Sequence, residues 1–156
     1  CTPDDEELTT FSGYAGTEVN LESRSLQCRS RLCLVNHFQG RVTCPGGQTS
    51  EEASSDGPPC KTITGLPVRT AVAAWDTDRL PHNSVDCSCR CDGPDPGANY
   101  CKCPSGYSCT RLVGDYDLGK EQLVGSYCVR AGSDYRVEDK DGPTCATNPE
   151  TPGCGG

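Results

Sequence analysis

Thiols spaced two apart dominate the chemistry this chain could do. Cys87, Cys89 and Cys91 alternate with Ser88 and Arg90. Beyond a Gly/Pro-rich turn at 92–97 come Cys101, Cys103 and Cys109, and Cys128 closes the run. Sulfurs placed like this either cross-link as disulfides or gather a soft metal as thiolates, and their spacing separates the two cases. No Cys-x-x-Cys pair occurs anywhere in the sequence, which removes zinc-ribbon and ferredoxin ligand sets. Cys-x-x-Cys-His is also absent, which removes covalent c-type haem. Disulfides are the expectation, with no metal ligand.

In an extended segment, residues i and i+2 point the same way and are poorly placed to bond each other. Cys87, Cys89 and Cys91 therefore need three partners elsewhere, and Cys101, Cys103, Cys109 and Cys128 are the nearest in sequence. A first module carries Cys28, Cys33, Cys44 and Cys60. A bridge from Cys60 to Cys44 or a neighbour would close the loop at 49–59. Cys145 and Cys154 flank a short polar segment and are expected to pair locally.

Other reactive groups are sparse. The two histidines, His37 and His82, belong to no G-x-S-x-G, H-E-x-x-H or phosphate-binding frame, so no catalytic residue is assigned and no enzyme is expected. Glu138-Asp139-Lys140-Asp141-Gly142 resembles part of a calcium loop. With Gly142 on the loop glycine, Val137 and Asn148 fall at the first and last ligand positions, and neither suits. Trp75 is the only tryptophan; it reads either as core packing or as a binding aromatic, and it is the residue assigned to binding.

The elements that must position these groups are thinly specified. Only 33% of the residues are hydrophobic, and thirty are Gly or Pro, so apolar burial alone would not offset the entropy of ordering the chain. Fourteen cysteines in 156 residues supply the missing constraint, each native bridge contributing roughly 2–4 kcal/mol. The fold class that follows is a small, β-rich, disulfide-rich domain with long irregular loops and little helix. Strands are expected at 17–21, 32–35, 41–44, 68–74 and 127–130, with a short helix at 117–122. Residues 1–10 read as an acidic flexible tether, 11–132 as the disulfide-rich domain with subregions 28–60 and 87–128, and 133–156 as a polar tail closed by Cys145 and Cys154. Bridges persist outside the reducing cytosol, so an extracytoplasmic location is expected. A net charge of −8 argues against nucleic acid as a partner. No apolar run approaches the ~20 residues of a membrane span.

Two stretches resemble known families. Cys101-x-Cys103-Pro104-x-Gly106-Tyr107-x-Cys109 resembles the ending of an EGF-like module, and Gly125-Ser126-Tyr127 resembles another element of it. Their order along the chain is reversed. Cys1 followed by Thr2-Pro3-Asp4-Asp5-Glu6-Glu7 looks like the start of a mature bacterial lipoprotein. The segments from Cys28 to Pro45 and from Cys87 to Cys128 are similar to uncharacterised bacterial cysteine-rich lipoproteins. That resemblance implies a covalent lipid on Cys1, the one cofactor expected, with attachment to an outer membrane at its periplasmic or surface face. It leaves thirteen cysteines, so one thiol would lack an intrachain partner. The expected function is an anchored accessory or structural protein presenting a rigid disulfide platform to a protein partner. A secreted or surface ligand-binding or inhibitory module, EGF-like or calcium-assisted, is the alternative.

Overall fold

A computed structural model describes residues 1–113, 123–135 and 142–154. The described chain is small and built mostly of strands, in two three-stranded antiparallel sheets with little helix, as the composition implied. In the first sheet, β2 (Leu32–Asn36) lies between β1 (Val19–Glu22) and β3 (Val85–Ser88). In the second, β6 (Gly125–Arg130) lies between β4 (Arg90–Asp92) and β5 (Tyr107–Val113). Both central strands are the most buried of their sheet, since each is covered by a neighbouring strand on either side. β3 and β4 are nearly one continuous run, so the chain leaves the first sheet and enters the second across Cys89. This crossing defines two lobes.

The first lobe has a conventional core. Tyr14, Val35, Phe38, Trp75, Leu80 and Val85 pack with the sulfurs of Cys28, Cys33, Cys145 and Cys154. A satellite of Val68 and Val72 surrounds Cys44 and Cys60. The C-terminal segment belongs to this lobe, since Cys145 N–H donates to the Trp75 carbonyl at 2.7 Å and Thr77 N–H to that of Pro143 at 2.8 Å. Two short helices border the core. α1 (Ser50–Ser54) opens with a capping box: Thr49 Oγ accepts from Glu52 N–H at 3.2 Å, and the Glu52 carboxylate accepts from Thr49 N–H at 2.7 Å. α2 (Pro81–Ser84) starts on Pro81, where a missing N–H costs no helical bond. Gly125 enters β6 at φ 147°, and a Cβ there would collide with the Asp92 carbonyl, so the approach of β4 to β6 requires glycine.

Three expectations are corrected. Residues 1–10 are not a free tether: Asp4–Glu7 forms a 3-10 turn, and Glu6 is completely buried. Residues 68–74 do not form a strand. Only Val72 bridges, to Gln48, while the Gln48 side-chain amide donates to the carbonyls of Val68 (3.0 Å) and Thr70 (2.7 Å). A side chain takes the acceptors that a neighbouring strand would have used. Residues 41–44 form a bridged turn and not a second hairpin strand, because the Glu6 carboxylate accepts from the Val42 N–H at 2.7 Å. The strands expected at 17–21, 32–35 and 127–130 fall on β1, β2 and β6. The expected helix at 117–122 and the calcium-like segment through Asp141 lie outside the described residues.

Candidate functional site

All fourteen cysteines are paired: Cys1–Cys33, Cys28–Cys87, Cys44–Cys60, Cys89–Cys101, Cys91–Cys109, Cys103–Cys128 and Cys145–Cys154. Two local pairings, Cys44–Cys60 and Cys145–Cys154, are those the spacing suggested. Within the triple, Cys89 and Cys91 find partners in the second lobe, whereas Cys87 reaches back to Cys28. The sequence gives no warning of that last pairing. It follows from β2 lying beside β3, which sets Cys87 opposite Cys33. Seven bridges and this strand-rich fold belong to an oxidising, extracytoplasmic setting. No helix among the described residues is long and apolar enough to cross a membrane.

Cys1 is half-buried, and its sulfur closes the bridge to Cys33, which is itself fully buried. A thioether to lipid needs the same valence of the same sulfur. Lipidation of Cys1 and the Cys1–Cys33 bridge are therefore mutually exclusive, and here the sulfur assigned to lipid pins the N-terminal segment to β2. The odd thiol that lipidation would leave is absent, since every cysteine has a partner.

What holds the N-terminal segment down is a buried ion pair that no motif announced. Arg41 and Glu6 are both wholly inaccessible, with Arg41 Nε 3.3 Å from Glu6 Oε2. Arg41 also donates to the carbonyls of Leu8 at 3.0 Å and Phe11 at 2.7 Å, and to that of Glu6 itself. Glu6 Oε2 accepts from Thr43 Oγ1 at 2.8 Å. Burying two charges is tolerable only when their remaining donors and acceptors are satisfied, and this network does most of that. Trp75 joins it by donating its indole N–H to the Arg41 carbonyl, and its ring meets Phe38 edge-on at 5.6 Å. Trp75 is 6% exposed, so it is a core residue and the binding role assigned to it is withdrawn.

His37 and His82 do not converge. His82 is exposed on α2, whereas the His37 ring stacks on Tyr135 at 3.8 Å with Nδ1 3.1 Å from the Gly16 carbonyl. Burial lowers the His37 pKa below its ordinary value, the nearby Arg79 charge lowers it further, and the Gly16 contact opposes both. Arg79 is buried as well and donates to the carbonyls of His37 (3.2 Å), Ser133 (2.7 Å) and Asn36. A cleft of about 170 Å³ runs between Asp4, Asp5, Tyr14 and Glu22. Burial raises the pKa of Glu22, the hydrogen bond that its carboxylate accepts from Asp4 N–H at 3.1 Å opposes this, and the negative charges of Asp4 and Asp5 add to the rise. The Tyr14 phenol is also pushed up, by burial first and then by Asp5 and Glu6.

Among the described residues, the only groups close enough to share one cation are three sets of sulfurs: Cys1, Cys28 and Cys87; Cys89, Cys101 and Cys128; Cys91, Cys103 and Cys109. Each sulfur is already bonded to another, so none offers a thiolate.

Of the four exposed large apolar side chains among the described residues, Leu26, 83% exposed, lies between β1 and β2, and the other three gather elsewhere. Thr62 N–H donates to the Leu66 carbonyl at 2.8 Å and Gly65 N–H to that of Thr62 at 2.9 Å, which makes a tight turn at 62–66. Its base is fixed by the Lys61–Pro67 bridge, by Val68 N–H on the Cys60 carbonyl at 3.0 Å, and by Cys44–Cys60. Ile63 and Leu66 on this turn are 51% and 53% exposed. A 2.7 Å hydrogen bond from Thr64 Oγ1 to Glu7 Oε2 brings the turn alongside Leu8, which is equally exposed. Residues 61–75 send their inner end, at Trp75, to the core and their outer end, at Ile63 and Leu66, to the surface. Comparison with family models, with curated proteins and with solved structures returned no match.

Proposed function

We propose that this chain is an extracytoplasmic accessory module of a bacterial envelope, a disulfide-stapled body that presents the 62–66 turn to a protein partner. The observation that carries this reading is the rigid, apolar-tipped turn. Ile63, Leu66 and Leu8 stay in water although the chain is poor in apolar residues, and the backbone beneath them is fixed by a bridge and three hydrogen bonds. Exposed apolar side chains on an ordered frame lose little entropy on docking, which suits a recognition surface. The reading assigns no catalytic residue.

A photo-cross-linking amino acid at position 63 or 66, incorporated in the native envelope, tests it. One discrete higher-mass adduct is expected from these positions and none from position 150, on the exposed C-terminal segment. Equal yields at all three would overturn the proposal. A trapped protease in that adduct would favour the inhibitory alternative, to which a turn closed by Cys44–Cys60 is also suited. Anchoring is a separate chemical question. Intact mass before reduction distinguishes a chain with an acyl mass on Cys1 and a thiol at Cys33 from one with seven bridges and no acyl mass.

A further inference from the structure

The second lobe holds six of its sulfurs in one continuous cluster. Cys128 Sγ lies 3.6 Å from Cys101 Sγ and 3.7 Å from Cys89 Sγ, so the Cys103–Cys128 bridge rests against the Cys89–Cys101 bridge. At its other end, Cys103 Sγ lies within 4.8 Å of both sulfurs of Cys91–Cys109. The cluster runs from an exposed Cys109 to Cys128, which is 1% exposed, and out again to a half-buried Cys89. By contrast, Cys44–Cys60 and Cys145–Cys154 have no third sulfur in such a set.

We propose that these three bridges form a thiol–disulfide exchange relay that accepts a low-molecular-weight thiol at Cys109 and releases a thiolate at Cys89. The thiolate of the incoming molecule attacks Cys109 Sγ, a mixed disulfide forms, and the electron pair of the broken bond leaves on Cys91. Cys91 then attacks Cys103 Sγ, forming Cys91–Cys103 and expelling Cys128 as thiolate. Cys128 attacks Cys101 Sγ, forming Cys101–Cys128 and expelling Cys89, which takes a proton from water. Each step breaks one S–S bond and forms one. The net change is one external thiol oxidised into a mixed disulfide and one cysteine reduced. Burial disfavours a thiolate at Cys128, so the charge does not rest there and passes to Cys89 or back to Cys91. Contact between the bridges lets this happen without unfolding the lobe.

The test treats the native protein with limiting reduced glutathione at about pH 8, near the ordinary thiol pKa of roughly 8.5. An acid quench, alkylation with N-ethylmaleimide and mass mapping of the linked peptides follow. Molecules with glutathione on Cys109 and the alkyl group on Cys89, joined through Cys91–Cys103 and Cys101–Cys128, are the expected product. Glutathione on Cys109 with the alkyl group confined to Cys91 and the other two bridges native would overturn the relay. In a variant with Cys103→Ser and Cys128→Ser, the Cys89 label should vanish while opening of Cys91–Cys109 persists. Persistence of the Cys89 label there would mean direct attack on Cys89–Cys101 and would also overturn it. If that variant fails to fold, the mapping of the native protein decides alone.

Discussion

The two lobes solve one problem by different means. The first buries Tyr14, Phe38, Trp75, Leu80 and Val85 together with the Arg41–Glu6 pair, and its four bridges staple outlying segments onto that core. In the second, the described buried side chains with apolar character are Tyr127, Cys128 and Val129, and three bridges tie together its three strands, the adjoining Cys89 and the 101–103 segment. No disulfide joins the lobes. They meet through the continuous run from β3 to β4, through Ser88 Oγ donating to the Cys128 carbonyl at 2.7 Å, and through the Arg130–Asp86 pair. The difference teaches that cross-links replace a core only where chain is short and partners are close. Where chain returns from far away, buried contacts do the ordering and sulfur secures the result.

The sharpest break of this comparison is Arg41→Met. It leaves Glu6 buried without its cation, a change that costs about 3–5 kcal/mol. Trp75 lies in the same core, so its fluorescence should report an earlier denaturant midpoint. The second lobe's three bridges should map unchanged without reductant. Equal loss of protection in both lobes would show that the core is shared after all.

Replacing Cys91 and Cys109 together by serine is the converse test, with an expected cost of about 2–4 kcal/mol. Amide exchange should accelerate in β4, β5 and β6 while the Trp75 transition stays where it was. A shifted Trp75 midpoint would mean that the first lobe depends on the second lobe's sulfur.

These contrasts mark how far sequence could be read. Cysteine density and Gly/Pro content gave the class of fold, because both act through entropy, which depends on composition and spacing. Cys44–Cys60 and Cys145–Cys154 were legible for the same reason, being short loops. Arg41 was not, since nothing local distinguishes a buried arginine from an exposed one, and its anion lies 35 residues away. Cys28–Cys87 and Cys1–Cys33 depend on β2 lying inside its sheet, which is a tertiary fact. The acidic opening read as a solvated tether because acidic runs usually are. One of its four carboxylates, Glu6, had a buried cation to meet. Trp75 and Leu66 belong to one apolar run, and pattern alone does not say which end turns inward.

Between the lobes, Asp86→Asn tests the seam. Arg130 donates to Asp86 through Nε at 3.1 Å and through an Nη at 2.9 Å, with the two side chains 42% and 17% exposed. An ion pair this open is worth about 0.5–1 kcal/mol and is screened by salt. The substitution should shift the midpoint slightly at low salt and less at high salt. Its useful readout is coupling. Added to the Cys91/Cys109 double change, it should sum with it if the lobes are independent, and exceed the sum if the seam transmits order.

The smallest expected effect is a pH slope confined to the first lobe, which holds both histidines. Burial and the Arg79 charge put the folded His37 pKa below its unfolded value of roughly 6.5. The fold therefore favours the neutral ring. The stability that this contributes is fully present above about pH 6.5 and is lost as pH falls through the lower folded value. Between pH 7 and pH 5 the Trp75 midpoint should decline, whereas amide exchange in β5 and β6, corrected for its intrinsic rate, should not change. His37→Asn isolates the cause, since the backbone there sits at φ 51°, a region asparagine tolerates, and the amide does not titrate. That variant should lose most of the slope. A decline that survives in this variant would overturn the assignment to His37. Glu22 could not be its source, because burial raises that carboxyl's pKa, the fold favours its protonated form, and acid should strengthen that corner of the lobe.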